Sequence, residues 1–288
     1  MMSVSRLQRA IHDACLLEAT ARKAGNVHPG ASFQHLCYAD FVRSAEAVAP
    51  TLAAASDIGV GPAVLKSVQA TKSVCGHNPN LGIILLVAPL AAVPPEVSLR
   101  DGIASVLASL SVDDSRLVYE AIRLAAPRGL GDSETEDVAG EPTQPLVEIM
   151  RHAANRDLIA RQFTTDFEMV FQFSESFLNN ESVQSDWESQ VIRLQLELMA
   201  ATPETDILRK CGEAEAYEAS LRARAVLHAS WPETPAARTL FAEFDAWLRE
   251  DGSRRNPGTA ADLVTACLFV ALRENRISMP PLPGQLAN

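Results

Sequence analysis

The stretch "LGIILLVAPLAAV", residues 81–93, decides the fold class. It is the longest apolar run of the chain and it contains Pro89. A bilayer span takes about 20 apolar residues, so this run is too short to cross a membrane and reads instead as a buried central helix. Working outward from it, helical periodicity dominates and strand alternation is nearly absent. In residues 5–23 Leu7, Ile11, Ala14 and Cys15 recur at three- and four-residue steps and predict an amphipathic helix. A second helix is expected over 37–54, with Pro50 as a kink or break, and a third begins at "GVGPAVLKSVQA" with Pro62 in its first turn.

Further helices are expected over 97–110, 114–126, 146–161, 164–180, 184–201, 204–229 and 235–251. A last one follows "NPGTAADLVTACLFVAL", with Asn256 as its N-cap and Pro257 as its first residue. The acidic stretch 127–145 reads as a loop, and the tail from Met279 as extended surface. The expectation is an all-α fold: one globular bundle of about a dozen helices without significant sheet, forming a single domain over 1–288.

Composition narrows the function classes. A formal net charge of -11 leaves no basic stripe for successive phosphates, and 6% aromatic residues offer few stacking platforms, so nucleic acid is not an expected partner. Five cysteines without a C-x-x-C pair make neither a disulfide nor a zinc framework, and no signal peptide is read at "MMSVSRLQRA". The expected location is cytoplasmic, with no membrane partner; a homodimer is left open.

Carboxylates on apolar stripes carry the chemistry, because an unpaired buried charge costs several kcal/mol in rough terms. Glu18 continues the stripe of the first helix. Glu120 stands between Leu117 and Leu124, Asp157 follows Met150 and Ala153, and Asp262 precedes Ala266. Converging on one cavity, such acids would serve as catalytic groups (Glu18, Glu120, Asp157) or as ligands of a divalent metal (Glu120, Asp157, Asp262). Each has a plainer reading as well, as one half of an ion pair or as a group at the edge of a stripe in water.

Three polar loops at helix ends fit an anion. "ARKAGNVHPG" offers Lys23, Gly25, Asn26 and His28; "CGHNPNLG" offers His77, Asn78 and Asn80; "SRRNPGTAAD" offers Arg255, Asn256 and Thr259. Neither GxxxxGK[ST] nor GxGxxG is present, so a magnesium-nucleotide site here would be neither a P-loop nor a Rossmann crevice.

"ACLLEATARKAGNVHPG", "FVRSA", "GHNPNLGIILLVAPLA" and "NPGTAADLVTACLFVAL", in this order and over nearly the full chain, resemble the triphosphoribosyl-dephospho-CoA synthase family. The block "YEAIRLAAPRGLG…EDVAGEP…LVEIMRHAANRDLIARQF" is similar to the branch found outside the citrate lyase and malonate decarboxylase operons. The resemblance implies an all-helical transferase. It would move the triphosphoribosyl group of ATP to 3'-dephospho-CoA with Mg2+ and release adenine. It also implies that Glu18 and the "RKAGNVH" loop match the first family motif, with Lys23, Asn26 and His28 on the triphosphate. Two departures stand out: Lys23-Ala24-Gly25-Asn26-Val27 replaces a Lys-Pro-Gly-Leu-Val turn, and Asn78-Pro79-Asn80-Leu81-Gly82 replaces Asn-Thr-His-Lys-Gly. Two alternatives stay open: the same donor chemistry on an acceptor for a methanopterin-type one-carbon coenzyme, or a non-catalytic nucleotide-binding module.

Overall fold

A computed structural model describes residues 4–126, 137–178 and 186–282. The described residues form fifteen helices and no strand beyond two isolated bridges, His28 with Ala31 and Phe33 with Leu36. The all-α expectation holds. The helices are α1 (Val4–Thr20), α2 (Tyr38–Ala53), α3 (Ala55–Ile58), α4 (Val60–Cys75), α5 (Leu81–Ala92), α6 (Leu99–Ala108), α7 (Val112–Ala125) and α8 (Leu146–Ala153). They continue with α9 (Leu158–Thr164), α10 (Glu168–Leu178), α11 (Trp187–Ala201), α12 (Thr205–Cys211), α13 (Glu213–His228), α14 (Pro235–Arg249) and α15 (Gly258–Arg273).

α5 is the run that opened the sequence, and it is buried on every side from Gly82 to Ala91. α2, α3, α4, α6, α9 and α15 pack around it. Both internal prolines are tolerated: α2 continues through Pro50 to Ala53, and α5 continues through Pro89 to Ala92. Each removes one bond, that to the carbonyl four residues before it, and the helix ends within three residues of it.

Three expected boundaries move. The helix expected over 146–161 is two, α8 and α9, and Asp157 caps the second instead of lying inside one helix. The helix expected over 204–229 divides at Gly212, whose φ of +95° no helical residue adopts. α15 starts at Gly258, with Pro257 rather than Asn256 at the N-cap. The tail differs as well, because Leu282 is buried in the main core instead of lying on an extended surface strand. Of the expected acidic loop, residues 127–136 lie outside the described residues, as do the tail residues 283–288.

Two hydrophobic clusters hold the fold. The main one gathers residues of α1 to α11, most of α15 and Leu282. The second gathers Ile192, Leu196 and Met199 of α11 with Ile207, Ala216, Val226, Phe244 and Leu248 of α12 to α14. α15 bridges them: Ala260 belongs to the second cluster, while Leu263 and the residues after it belong to the first. The segment after α1 bridges them too, with Ala21 in the first and Ala24 in the second. The polar residues between those anchors therefore lie at the seam. None of the described helices is long and apolar enough to cross a membrane.

Candidate active site

The loop after α1 is pinned residue by residue. Arg22 forms a bidentate pair with Glu188 of α11, its Nε and Nη2 lying 2.7 and 2.6 Å from the two carboxylate oxygens. Gln195, fully buried on α11, takes the Ala24 N–H at 3.0 Å and donates to the Ala24 carbonyl at 2.9 Å and to Asn26 Oδ1 at 2.8 Å. Gly25, at φ +71°, donates its N–H to Asp245 of α14 at 2.7 Å. Arg249 of α14 donates to the Asn26 carbonyl, and Asn26 Nδ2 donates to Asn256 Oδ1 at 2.9 Å. The loop expected to present free cations is thus a rigid strap tied to α11, α14 and the start of α15.

Lys23 is 0% exposed, and its ammonium lies 2.8 Å from Glu18 Oε1 while also donating to the Glu18 carbonyl. That carbonyl is among the last four of α1, which lack intrahelical partners, so the ammonium satisfies the helix end and the carboxylate together. Glu18 is itself buried, as its stripe position predicts. A cation this enclosed is a partner for Glu18, which corrects the reading of Lys23 as a group standing open to phosphate.

Glu18 faces α15. The carboxyl of Asp262 is pushed well above the usual carboxylate range by burial first, then by the charges of Glu18, Asp206, Glu204 and Asp157. Four carboxylates, from α1 and the starts of α9 and α12, therefore act on Asp262 of α15. The Asp262 carboxylate rests on the backbone of α5: a Cβ built on Gly82 would lie 1.9 Å from Oδ2, and Ile159 Cδ1 of α9 would be 2.7 Å from the same point. Asp157 accepts the Ile159 and Ala160 N–H groups at 2.8 and 3.1 Å. Glu204, 2% exposed, accepts the Ile207 N–H at 2.6 Å and the Ala260 N–H at 3.2 Å, joining the starts of α12 and α15. Burial and then Asp206 push its carboxyl up to about 8. Thr259 Oγ1 lies 3.2 Å from Thr205 Oγ1, which accepts the Leu158 N–H at 3.4 Å. Four helix starts, those of α5, α9, α12 and α15, thereby meet around Asp262.

Other expected residues fall elsewhere. Glu120 is exposed on α7 and is not among the charges that act on Asp262, which corrects its reading as an inward acid. The buried face of α7 is Ser115, Val118, Tyr119 and Ala121, so the half-buried Leu117 and Leu124 mark its edge and Glu120 projects to solvent between them. The proposed metal set of Glu120, Asp157 and Asp262 is therefore not assembled. Among the described residues no group of three or more His, Cys, Asp and Glu is placed to hold a metal ion.

Arg255 is committed to Glu215 at 2.8 Å and lies over the Trp247 ring at 4.5 Å. His28 is half-buried and accepts the Gly30 N–H at Nδ1, and burial followed by Arg249 lowers its pKa. His77 is exposed, 3.8 Å from Asp40. Asn80 is buried at the N-cap of α5 and accepts from Thr71 at 3.2 Å; Asn78 accepts the Asn80 N–H, also at 3.2 Å. Glu204, Asp206 and Gln195 were not singled out from the sequence. For Asp206 a signal exists, since Arg209 and Lys210 follow at the i+3 and i+4 spacing of helix ion pairs.

The arrangement gathers negative charge in a desolvated seam edged by helix N-termini, a setting in which a carboxyl can keep its proton near neutral pH while a neighbour beside a fixed ammonium is paired. No curated protein matches the chain. A crystal structure from Archaeoglobus fulgidus, provisionally named a triphosphoribosyl-dephospho-CoA synthase, is 26% identical and superposes with a TM-score of 0.64, covering 80% of this chain and 97% of that one. The model of the ATP:dephospho-CoA triphosphoribosyl transferase family matches residues 4–280, so the chain belongs to that family of transferases.

Proposed function

We propose that the protein transfers the triphosphoribosyl group of ATP to the 2' hydroxyl of 3'-dephospho-CoA, forming 2'-(5''-triphosphoribosyl)-3'-dephospho-CoA and adenine. The observation that supports this reading is the desolvated Asp262, set against Gly82 of α5 and acted on by the charges of Glu18 and Asp157 from two other stretches of chain. In the reaction the bond from the ribosyl C1' to adenine breaks, a bond from C1' to the acceptor oxygen forms, the hydroxyl gives up its proton and adenine takes one. A ribosyl centre with cation-like character is stabilised by carboxylates in a low dielectric. Glu18, fixed by Lys23, receives the hydroxyl proton. Asn26, Asn256, Thr259 and Asn80 form the polar rim for the nucleotide, with His28, His77 and Asn78 in the adjoining loops.

Magnesium is the proposed cofactor, entering with ATP. Among the described residues there is no complete cage, but Mg2+ keeps waters and phosphate oxygens and needs only one or two carboxylates, which Asp157 and Asp262 would supply. Bound there, the ion would neutralise triphosphate charge.

The test is adenine release from ATP and Mg2+ by the purified protein, with and without 3'-dephospho-CoA, and with Glu18→Gln beside the wild type. Acceptor-dependent adenine that disappears in the variant supports the reading. ATP binding without any adenine would refute it in favour of another acceptor or of a nucleotide-binding role.

A further inference from the structure

The two cations expected to meet the triphosphate are engaged elsewhere, Lys23 with Glu18 and Arg255 with Glu215 and Glu250, and the neighbouring Arg22 and Arg249 are paired with Glu188 and Asp245. A polyphosphate still needs positive charge at this seam. On α12 two part-open cations share a single carboxylate, which leaves one positive charge uncompensated within the trio. Arg209 and Lys210 both sit on the carboxylate of Asp206, Arg209 on Oδ1 and Lys210 on Oδ2, with about a third and a quarter of their side chains open to solvent. Asp206 is 7% exposed and is braced against the first residue of α15, where a Cβ on Gly258 would come within 2.9 Å of Oδ2. Two cations on one carboxylate give these three side chains a net charge of +1 beside the start of a 16-residue helix whose dipole adds to it, offsetting part of the negative charge of the neighbouring seam. Lys210 also acts on the charge of Glu204, which places it at the acidic seam and not on a remote surface. Arg254, itself paired with Asp251 at 2.9 Å, ties this end of α12 to the segment before α15 by donating to the Lys210 carbonyl at 3.4 Å.

We infer that Arg209 and Lys210, aimed by the buried carboxylate of Asp206, form the polyphosphate-binding subsite of this protein. Its ligand class is a linear polyphosphate ester, and under the reading proposed above it takes the triphosphate end of the donor. Asp206 is a positioning residue. A carboxylate that holds two cations at once pre-orders them, so less side-chain freedom is lost when the anion arrives.

The experiment uses the full chain and inorganic tripolyphosphate with Mg2+, followed by titration calorimetry. The expected result is binding by the wild type that weakens about tenfold or more in Lys210→Gln and Arg209→Gln, as for loss of a charge-assisted contact. Lys210→Arg should keep it, and Arg116→Gln, an exposed charge loss on α7, should leave it unchanged. In steady state Lys210→Gln should raise KM for ATP more than it lowers kcat. Wild-type affinity in both Gln variants, or a wild type that does not bind tripolyphosphate, overturns the assignment. The two readings separate: Lys210-dependent tripolyphosphate binding without adenine release keeps the subsite and removes the reaction. Adenine release with binding indifferent to Lys210 does the reverse.

Discussion

Replacing Gly82 by Ala tests whether the position of the Asp262 carboxylate matters for turnover. The new Cβ would stand 1.9 Å from Oδ2 and 2.5 Å from Cγ of Asp262, and 2.7 Å from Ile159 Cδ1. Ordinary contact begins at 3.4 Å, so the carboxylate oxygen must retreat by 3.4 minus 1.9, about 1.5 Å. All three atoms are side-chain ends or close to them, so rotation can relieve the collision while the backbone stays in place. Gly82 is helical, and alanine there gains up to about 1 kcal/mol of helix propensity, which offsets part of the strain. Stability should therefore change little, within about 1 kcal/mol. A misplacement of about 1 Å at a reacting centre costs on the order of a hundredfold in rate. Adenine release by Gly82→Ala should fall by about that factor at an unchanged denaturation midpoint. Wild-type turnover in a folded Gly82→Ala protein would show that Asp262 does not have to stand where it does, and the placement of the site at this seam would fall with it.

Lys23→Met leaves Glu18 buried without its ammonium and should cost about 3–5 kcal/mol, read from urea midpoints. Adding Glu18→Gln should restore part of that loss; a single-variant cost below about 1 kcal/mol would refute the pairing. Glu204 and Asp262 both have carboxyls raised on folding and hold more protons in the native state than in the unfolded chain between the usual carboxylate range and about pH 8, two groups against the single opposing contribution of His28, whose pKa is lowered. Stability should then fall as pH rises through that window, and Glu204→Gln should flatten the slope of the urea midpoint between pH 5.5 and 8. A midpoint that climbs with pH across this range would contradict the assignment. Glu120→Gln, at an exposed position on α7, should change adenine release by less than about twofold, within the range of ordinary surface substitutions; a loss like that of Glu18→Gln would return it to the site.

Much of the fold was legible from spacing alone. The run 81–93 is α5, the stripe of the first helix buries Glu18 as its phase requires, and the helix after Asn256 is α15. The division at Gly212 and the restart at Asp157 were less legible, because neither a Gly nor an N-cap Asp ends a helix by itself unless the packing on both sides turns the chain. Glu120 shows the limit of phase reasoning: half-buried leucines flank it, and only the packing of α7 on α4 and α8 tells the edge of a stripe from its centre.

The sequence by itself determined the helical class, the buried central run, the inward carboxylates Glu18 and Asp262, and the family resemblance. Tertiary structure decided which charges belong together. Lys23 reads as a phosphate ligand along the chain because five residues of sequence do not show that its ammonium folds back onto the end of its own helix. Arg255 reads as another until Glu215, 40 residues away, takes it. Glu204 and Asp206 look like surface acids at a helix start, yet they are buried because α12 is laid against the first turn of α15. The physical reason is one of range: helix phase is a local property of a few turns, whereas the ionisation of a carboxylate depends on every charge and every desolvating atom brought beside it from anywhere in the chain.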